Sequence, residues 1–171
     1  LKEKIGRHAH FVPLEEVSLD EPPYYLMAEY IAASNLELWF QNNGGLHGVP
    51  EPLRLEIISQ AADALQAAHD VGVLHRDVKP SNLLVQGRTD DPSSVHVWVS
   101  DFGIGQVVSE DLLSGHSSGF TRTLFDSHAT GGTHLYLAPE VAAGGDSTAR
   151  SDIFSLGLVL FQLLVGDFHR P

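Results

Sequence analysis

Apolar residues recur at three- and four-residue spacing through Leu53, Ile57, Ala61, Ala64, Leu65 and Ala68. That spacing predicts one long amphipathic helix over 51–71, with Pro52 in its first turn and Gly72 as its stop. A second helix is predicted from a cap at Ser147 or Thr148 through about Val165. Its apolar positions between Ile153 and Val165 cover all faces, as in a helix buried in a core or a membrane. Asp152 interrupts the run near its start, and a central buried helix is the reading.

The other elements are shorter. Leu1 and Ile5 suggest the tail of a helix over 1–9. Phe11 to Val17 and Tyr24 to Ile31 read as an antiparallel strand pair around Pro22-Pro23. Ser34 can cap a short helix from Asn35 to about Gln41, followed by loop through Pro50. Val95 to Val99 reads as a strand, and Gln86 to Ser94 as a polar surface turn. Residues 104–137 form a long segment rich in Gly, Ser, Thr and His, and a loop of that length in a compact domain is functional or mobile.

Composition narrows the function classes. The 171 residues suffice for one domain with a real core. A net charge of −12 speaks against nucleic-acid or anionic-membrane partners, and the acidic surface reads most simply as a solubility device. Without cysteine there is no disulfide, no Cys zinc site and no thiol catalysis. No run has the length of a membrane span, so no membrane contact is expected from this segment. The two ends, Leu1-Lys2-Glu3-Lys4 and Phe168-His169-Arg170-Pro171, read as cuts in a longer protein.

The chemistry is concentrated in His75-Arg76-Asp77-Val78-Lys79-Pro80-Ser81-Asn82. Nineteen residues past Asn82 comes Asp101-Phe102-Gly103, and later Ala138-Pro139-Glu140. A carboxylate to orient an attacking hydroxyl, a cation to neutralise a moving phosphoryl group, and an amide plus a second carboxylate for magnesium make a phosphoryl-transfer layout. The three motifs in this order resemble the catalytic core of eukaryotic-type (Hanks-type) serine/threonine protein kinases. The histidine-rich, cysteine-free composition leans towards a bacterial member.

The resemblance implies an α+β, protein-kinase-like fold. Residues 1–31 would be the end of the N-terminal lobe and the hinge, and 32–171 the C-terminal lobe through its central helix, with the last helices missing. Asp77 would be the catalytic aspartate, and Lys79, two residues on as in Ser/Thr kinases, would contact the γ-phosphate. Asn82 and Asp101 would hold Mg²⁺, and Thr133 would bridge Asp77 and Lys79. ATP would lie against the backbone of Glu29 and Ile31 and the side chain of Leu84. Ala28, small at the back of the adenine pocket, would enlarge it. Leu14 would pack towards the catalytic centre.

His75 and Phe102 would belong to the side-chain stack that joins the lobes, with Gly103 completing the second motif. Asp152 would anchor the backbone of the catalytic loop. Glu140 would lack the arginine that pairs with it in the family. Arg76 would receive a phosphate from the segment before Ala138, with Thr121, Thr123, Ser127 and Thr130 as candidate acceptors. His69 reads as a packed or dipole-facing histidine rather than a ligand.

The implied activity is transfer of the ATP γ-phosphate to Ser or Thr hydroxyls of protein substrates. Two alternatives stay open: a non-catalytic kinase-like scaffold or ATP-binding regulatory module, and a small-molecule phosphotransferase with a related core. No glycine-rich phosphate loop and no strand lysine precede the hinge in this sequence, so these residues alone are expected to be inactive.

Overall fold

The computed structural model describes residues 8–18, 25–102 and 133–168. Two small sheets and two long helices carry the site. Strands β1 (Leu14–Ser18) and β2 (Tyr25–Ala28) pair antiparallel, with Leu14 opposite Ala28 and Ser18 opposite Tyr25. The first strand starts three residues later than expected and runs on to Ser18, and the second stops at Ala28, three residues short of Ile31. Phe11 leaves β1 to bridge Val99 in parallel, and Val12 N–H donates to Val99 O at 3.1 Å. Glu29 N–H donates to Pro13 O at 2.9 Å, which turns the chain out of β2. Ala9 and His10 form a turn rather than the end of a helix; residues 1–7 lie outside the described part.

Ser34 is not the cap of the next helix. Ser34 and Asn35 form the two-residue strand β3, and the Asn35 side chain accepts the Leu38 N–H at 2.9 Å to cap α1 (Leu36–Asn42). The expected loop after it contains one helical turn, α2 (Gly45–Gly48). Helix α3 (Glu51–Asp70) follows, and Gly72 at φ 73° supplies the left-handed backbone that ends it.

Strands β4 (Leu83–Arg88) and β5 (Asp91–Val99) join β3 in the sheet order β3-β4-β5. The polar stretch expected as a surface turn is mostly strand, and only Thr89 and Asp90 turn. Pro92 is tolerated because β5 is an edge strand. Gly87, at φ 119°, absorbs a register shift between Gln86 and Arg88, and a Cβ there would lie 2.5 Å from Ser94 O.

Two short elements, a 3₁₀ turn at Thr133–Tyr136 and α4 (Pro139–Ala142), precede α5 (Ala149–Val165). The core packs Ile57, Ala61, Ala64, Leu65 and Ala68 of α3 with Val97 and Val99 of β5 and Leu156, Val159 and Leu163 of α5. Alanines on α3 allow close approach of both partners.

Helix α5 departs from expectation. One stripe is buried, whereas Ile153, Phe154, Phe161, Leu164 and Val165 are exposed. Nothing among the described residues covers that second face, so its apolar pattern does not make the helix central here. Among the described residues no helix is long and apolar enough to cross a membrane.

Candidate active site

The octet folds into a loop held from three directions. From α5, the Asp152 carboxylate accepts His75 N–H on Oδ2 at 2.8 Å and Arg76 N–H on Oδ1 at 2.7 Å. From inside, Asp77 N–H donates to His75 Nδ1 at 3.2 Å, which puts the imidazole proton on Nε2, where it donates to Ser100 O at 2.9 Å. From the sheet, Asn82 O accepts Ser100 N–H at 2.9 Å, tying the end of β5 to the loop. Arg76 and Asp101 adopt left-handed backbone, φ 68° and 61°. Each costs about 1–3 kcal/mol in a non-glycine residue and persists only where surroundings over-determine it.

Asp77, Lys79 and Asn82 come together. Lys79 Nζ lies 2.8 Å from Asp77 Oδ2, and Asn82 Nδ2 donates to the same oxygen at 3.1 Å and to Asp77 O at 2.7 Å. The amide orientation follows from this: with its NH₂ turned to Asp77, Asn82 presents Oδ1 elsewhere, where Ser81 Oγ donates at 3.3 Å. Asp101 is exposed, and its Oδ2 accepts from Ser100 Oγ at 3.2 Å. Asn82 Oδ1 and the Asp101 carboxylate are hard oxygen donors, a set that fits Mg²⁺, which keeps phosphate and water oxygens for its remaining positions.

His75 is 1% exposed, and burial holds its pKa below the usual histidine value, against the opposing pull of Asp152. Its ring meets the Phe102 ring edge-on at 4.8 Å, and Phe102 meets Phe11 at 4.6 Å. Phe11, expected only as the first residue of a strand, makes this contact, whereas Leu14, expected to pack towards the catalytic centre, lies in β1 opposite Ala28.

Phe11 also links this stack to the residues expected to form the hinge. Glu29 and Ile31 line a cavity of about 380 Å³ with Phe11, Pro13 and Trp98. Leu84 sits on β4 opposite Asn35 and Trp98 and does not line it. Ala28 ends β2 and is exposed.

Glu140 is not left without a partner: the Ser151 hydroxyl donates to its Oε1 at 2.9 Å while accepting Thr148 N–H at 3.1 Å. Tyr136 is locked to the same helix, its hydroxyl donating to Gln162 Oε1 at 2.9 Å and its carbonyl accepting from Ser155 Oγ at 2.6 Å. Thr133 begins the 3₁₀ turn. Gly103, Thr121, Thr123, Ser127 and Thr130 lie outside the described residues.

His69 is packed, as expected of it, with its side chain 10% exposed. Its Nε2 lies 2.8 Å from Asp152 Oδ2. Its place in the last turn of the predicted helix was legible, but a partner 83 residues away was not.

The sequence model of the protein kinase domain family matches residues 2–170. The chain belongs to the protein kinase domain family. It is 33% identical over 159 residues to the serine/threonine-protein kinase PrkC of Bacillus subtilis, covering 93% of this chain and 22% of PrkC. It is 35% identical over 152 residues to the serine/threonine-protein kinase PknB of Mycobacterium leprae, covering 89% of this chain and 21% of that protein. The crystal structure of the Mycobacterium tuberculosis PknI kinase domain superposes with a TM-score of 0.67 at 23% identity, covering 98% of this chain and 55% of that one, and shares its fold. Kinase domains of this family use ATP and a divalent metal in general.

Proposed function

We propose that the protein carrying this chain is a serine/threonine protein kinase, transferring the ATP γ-phosphate to Ser or Thr hydroxyls of protein substrates. The observation that carries the reading is Asp77 Oδ2, met by Lys79 Nζ at 2.8 Å and Asn82 Nδ2 at 3.1 Å. That oxygen is poised to accept a hydrogen bond from an entering hydroxyl and take its proton. Lys79, already beside the carboxylate, has a short reach to the phosphoryl oxygens, where its charge offsets what develops during transfer. Mg²⁺, held by Asn82 and Asp101, would neutralise phosphate charge. Thr133 would brace Asp77 and Lys79, and the backbone of Glu29 and Ile31 would receive the adenine.

Residues 1–31 would belong to the smaller lobe and 32–171 to the larger. These residues act in the cytoplasm in this reading, on protein partners. The sequence contains neither a glycine-rich phosphate loop nor a strand lysine before the hinge, so the 171 residues alone would transfer negligibly.

The test is phosphoryl transfer from γ-labelled ATP to a generic basic protein by the full-length protein, beside Asp77→Asn. Transfer that disappears in the variant supports the kinase. Absence of transfer from a folded, ATP-binding protein, with or without the substitution, would turn the reading to a scaffold that uses the kinase fold for binding.

A further inference from the structure

Asn82 and Asp101, the two residues whose oxygens fit Mg²⁺, are joined through one serine. Ser100 N–H donates to Asn82 O at 2.9 Å, which fixes the Ser100 backbone against the loop that carries Asn82. The Ser100 hydroxyl then stands between two acceptors, Asp101 Oδ2 at 3.2 Å and Asn82 O at 3.3 Å. A hydroxyl has one proton to give. Asn82 O already accepts the Ser100 amide, and a carboxylate is the stronger acceptor, so the proton goes to Asp101. Ser100 is half-buried, whereas Asp101 is exposed and stands on left-handed backbone at φ 61°. Packing therefore does not fix the direction of the Asp101 carboxylate. Among the described residues, the Ser100 hydroxyl is the one side-chain group hydrogen-bonded to it.

Asn82 is arranged differently. There the hydroxyl of Ser81, an exposed residue, donates at 3.3 Å to Oδ1, the single amide oxygen. A cation on Asn82 takes that same oxygen, whereas a carboxylate keeps a second oxygen to offer.

We propose that Ser100 is a positioning residue for the metal: its hydroxyl holds Asp101 Oδ2 and leaves Oδ1 to a divalent cation shared with Asn82. The inference deepens the kinase reading and rests on it for the identity of the ion. Partners that hydrogen-bond a ligating carboxylate carry a factor of about 10–100 in metal affinity. Removing the hydroxyl leaves the Ser100 amide on Asn82 O, so the loss falls on Asp101 and not on the loop.

The experiment titrates the full-length protein with Mn²⁺, an oxygen-liganded stand-in for Mg²⁺, at saturating β,γ-imido-ATP. Electron paramagnetic resonance separates protein-bound Mn²⁺ from the Mn²⁺–nucleotide complex. The Mg²⁺ dependence of transfer and the urea midpoint are measured beside it. Ser100→Ala should weaken Mn²⁺ about tenfold and raise the half-saturating Mg²⁺ by the same factor. At saturating Mg²⁺ its kcat should return to near wild type, and its urea midpoint should barely move. Ser100→Thr keeps the hydroxyl and should bind Mn²⁺ as wild type does. Ser81→Ala should not weaken Mn²⁺.

Unchanged Mn²⁺ affinity in Ser100→Ala would overturn the proposal. So would an equal loss in Ser81→Ala, or a Thr variant no better than Ala. If Ser100→Ala does not fold, Ser100→Cys decides by the same comparison, since a thiol fills the space but donates weakly. Wild-type protein that binds no Mn²⁺ would also overturn the proposal. Wild-type protein that binds Mn²⁺ but transfers no phosphate would overturn the kinase reading instead, and the Mn²⁺ titrations would still decide for Ser100.

Discussion

Asp152 Oδ1 accepts the Arg76 amide at 2.7 Å across 76 residues of chain, joining the start of α5 to a residue in left-handed backbone. Replacing the carboxylate by an amide of equal size sets an NH₂ group against one of its three donors. Asp152→Asn is expected to cost about 1–3 kcal/mol of folding stability, because the displaced donor has no water to turn to. Urea unfolding measures this. A variant as stable as wild type would show that the contacts to His75, Arg76 and His69 are dispensable to the fold.

The Asp77–Lys79 pair predicts the opposite pattern. Its side chains keep 21% and 16% of their exposure, so solvent screens the pair and its contribution to stability is about 0–1 kcal/mol. Asp77→Asn should leave the urea midpoint nearly unchanged while transfer falls on the order of 10²- to 10⁴-fold, the usual contribution of a positioned base. Large losses in both would mark Asp77 as a structural residue.

These two carboxylates show what the sequence discloses and what it withholds. Asp77, Lys79 and Asn82 lie within six residues, so their spacing along one loop already implies a shared site. Helix α3 was legible for a similar reason, since its apolar stripe is local and regular. The partners of Asp152 were legible only through family resemblance, and His69 not at all, because its contact depends on how α3 and α5 cross. Caps failed locally: Ser34 and Asn35 are both good cap residues and both pair with β4, and it is Asn35, next to the helix, whose side chain accepts the Leu38 N–H. Helix α5 read as apolar on every face, yet composition does not say which stripe other elements will cover.

His75 gives a pH dependence. Burial lowers its pKa from the ordinary 6.5, and the Nε2–H to Ser100 O and Asp77 N–H to Nδ1 bonds both suit the neutral ring. Below 6.5 the unfolded chain takes up a proton that the folded chain refuses. Stability from this group is therefore complete above 6.5 and is lost as pH falls towards the lower folded value. The urea midpoint should drop between neutral and mildly acidic pH, and drop less in His75→Gln. Equal slopes for the two proteins would show that His75 does not titrate differently on folding.

Two glycines should respond in opposite directions to alanine. Gly87 needs φ 119°, and a Cβ there would meet Ser94 O at 2.5 Å and Val95 Cα at 2.6 Å, all backbone that cannot step aside. Its carbonyl also accepts the Trp39 indole N–H at 3.2 Å, so any shift of the bulge disturbs a buried ring. Gly87→Ala is expected to cost about 1–3 kcal/mol. Gly157 lies inside α5, and among the described residues a Cβ would meet nothing within 4 Å. There alanine only removes backbone freedom from the unfolded chain, and Gly157→Ala should add about 0.5–1 kcal/mol. Thermal unfolding of the two variants beside wild type checks both signs. A loss of stability at Gly157 would mean that the exposed face of α5 meets a close partner elsewhere in the protein.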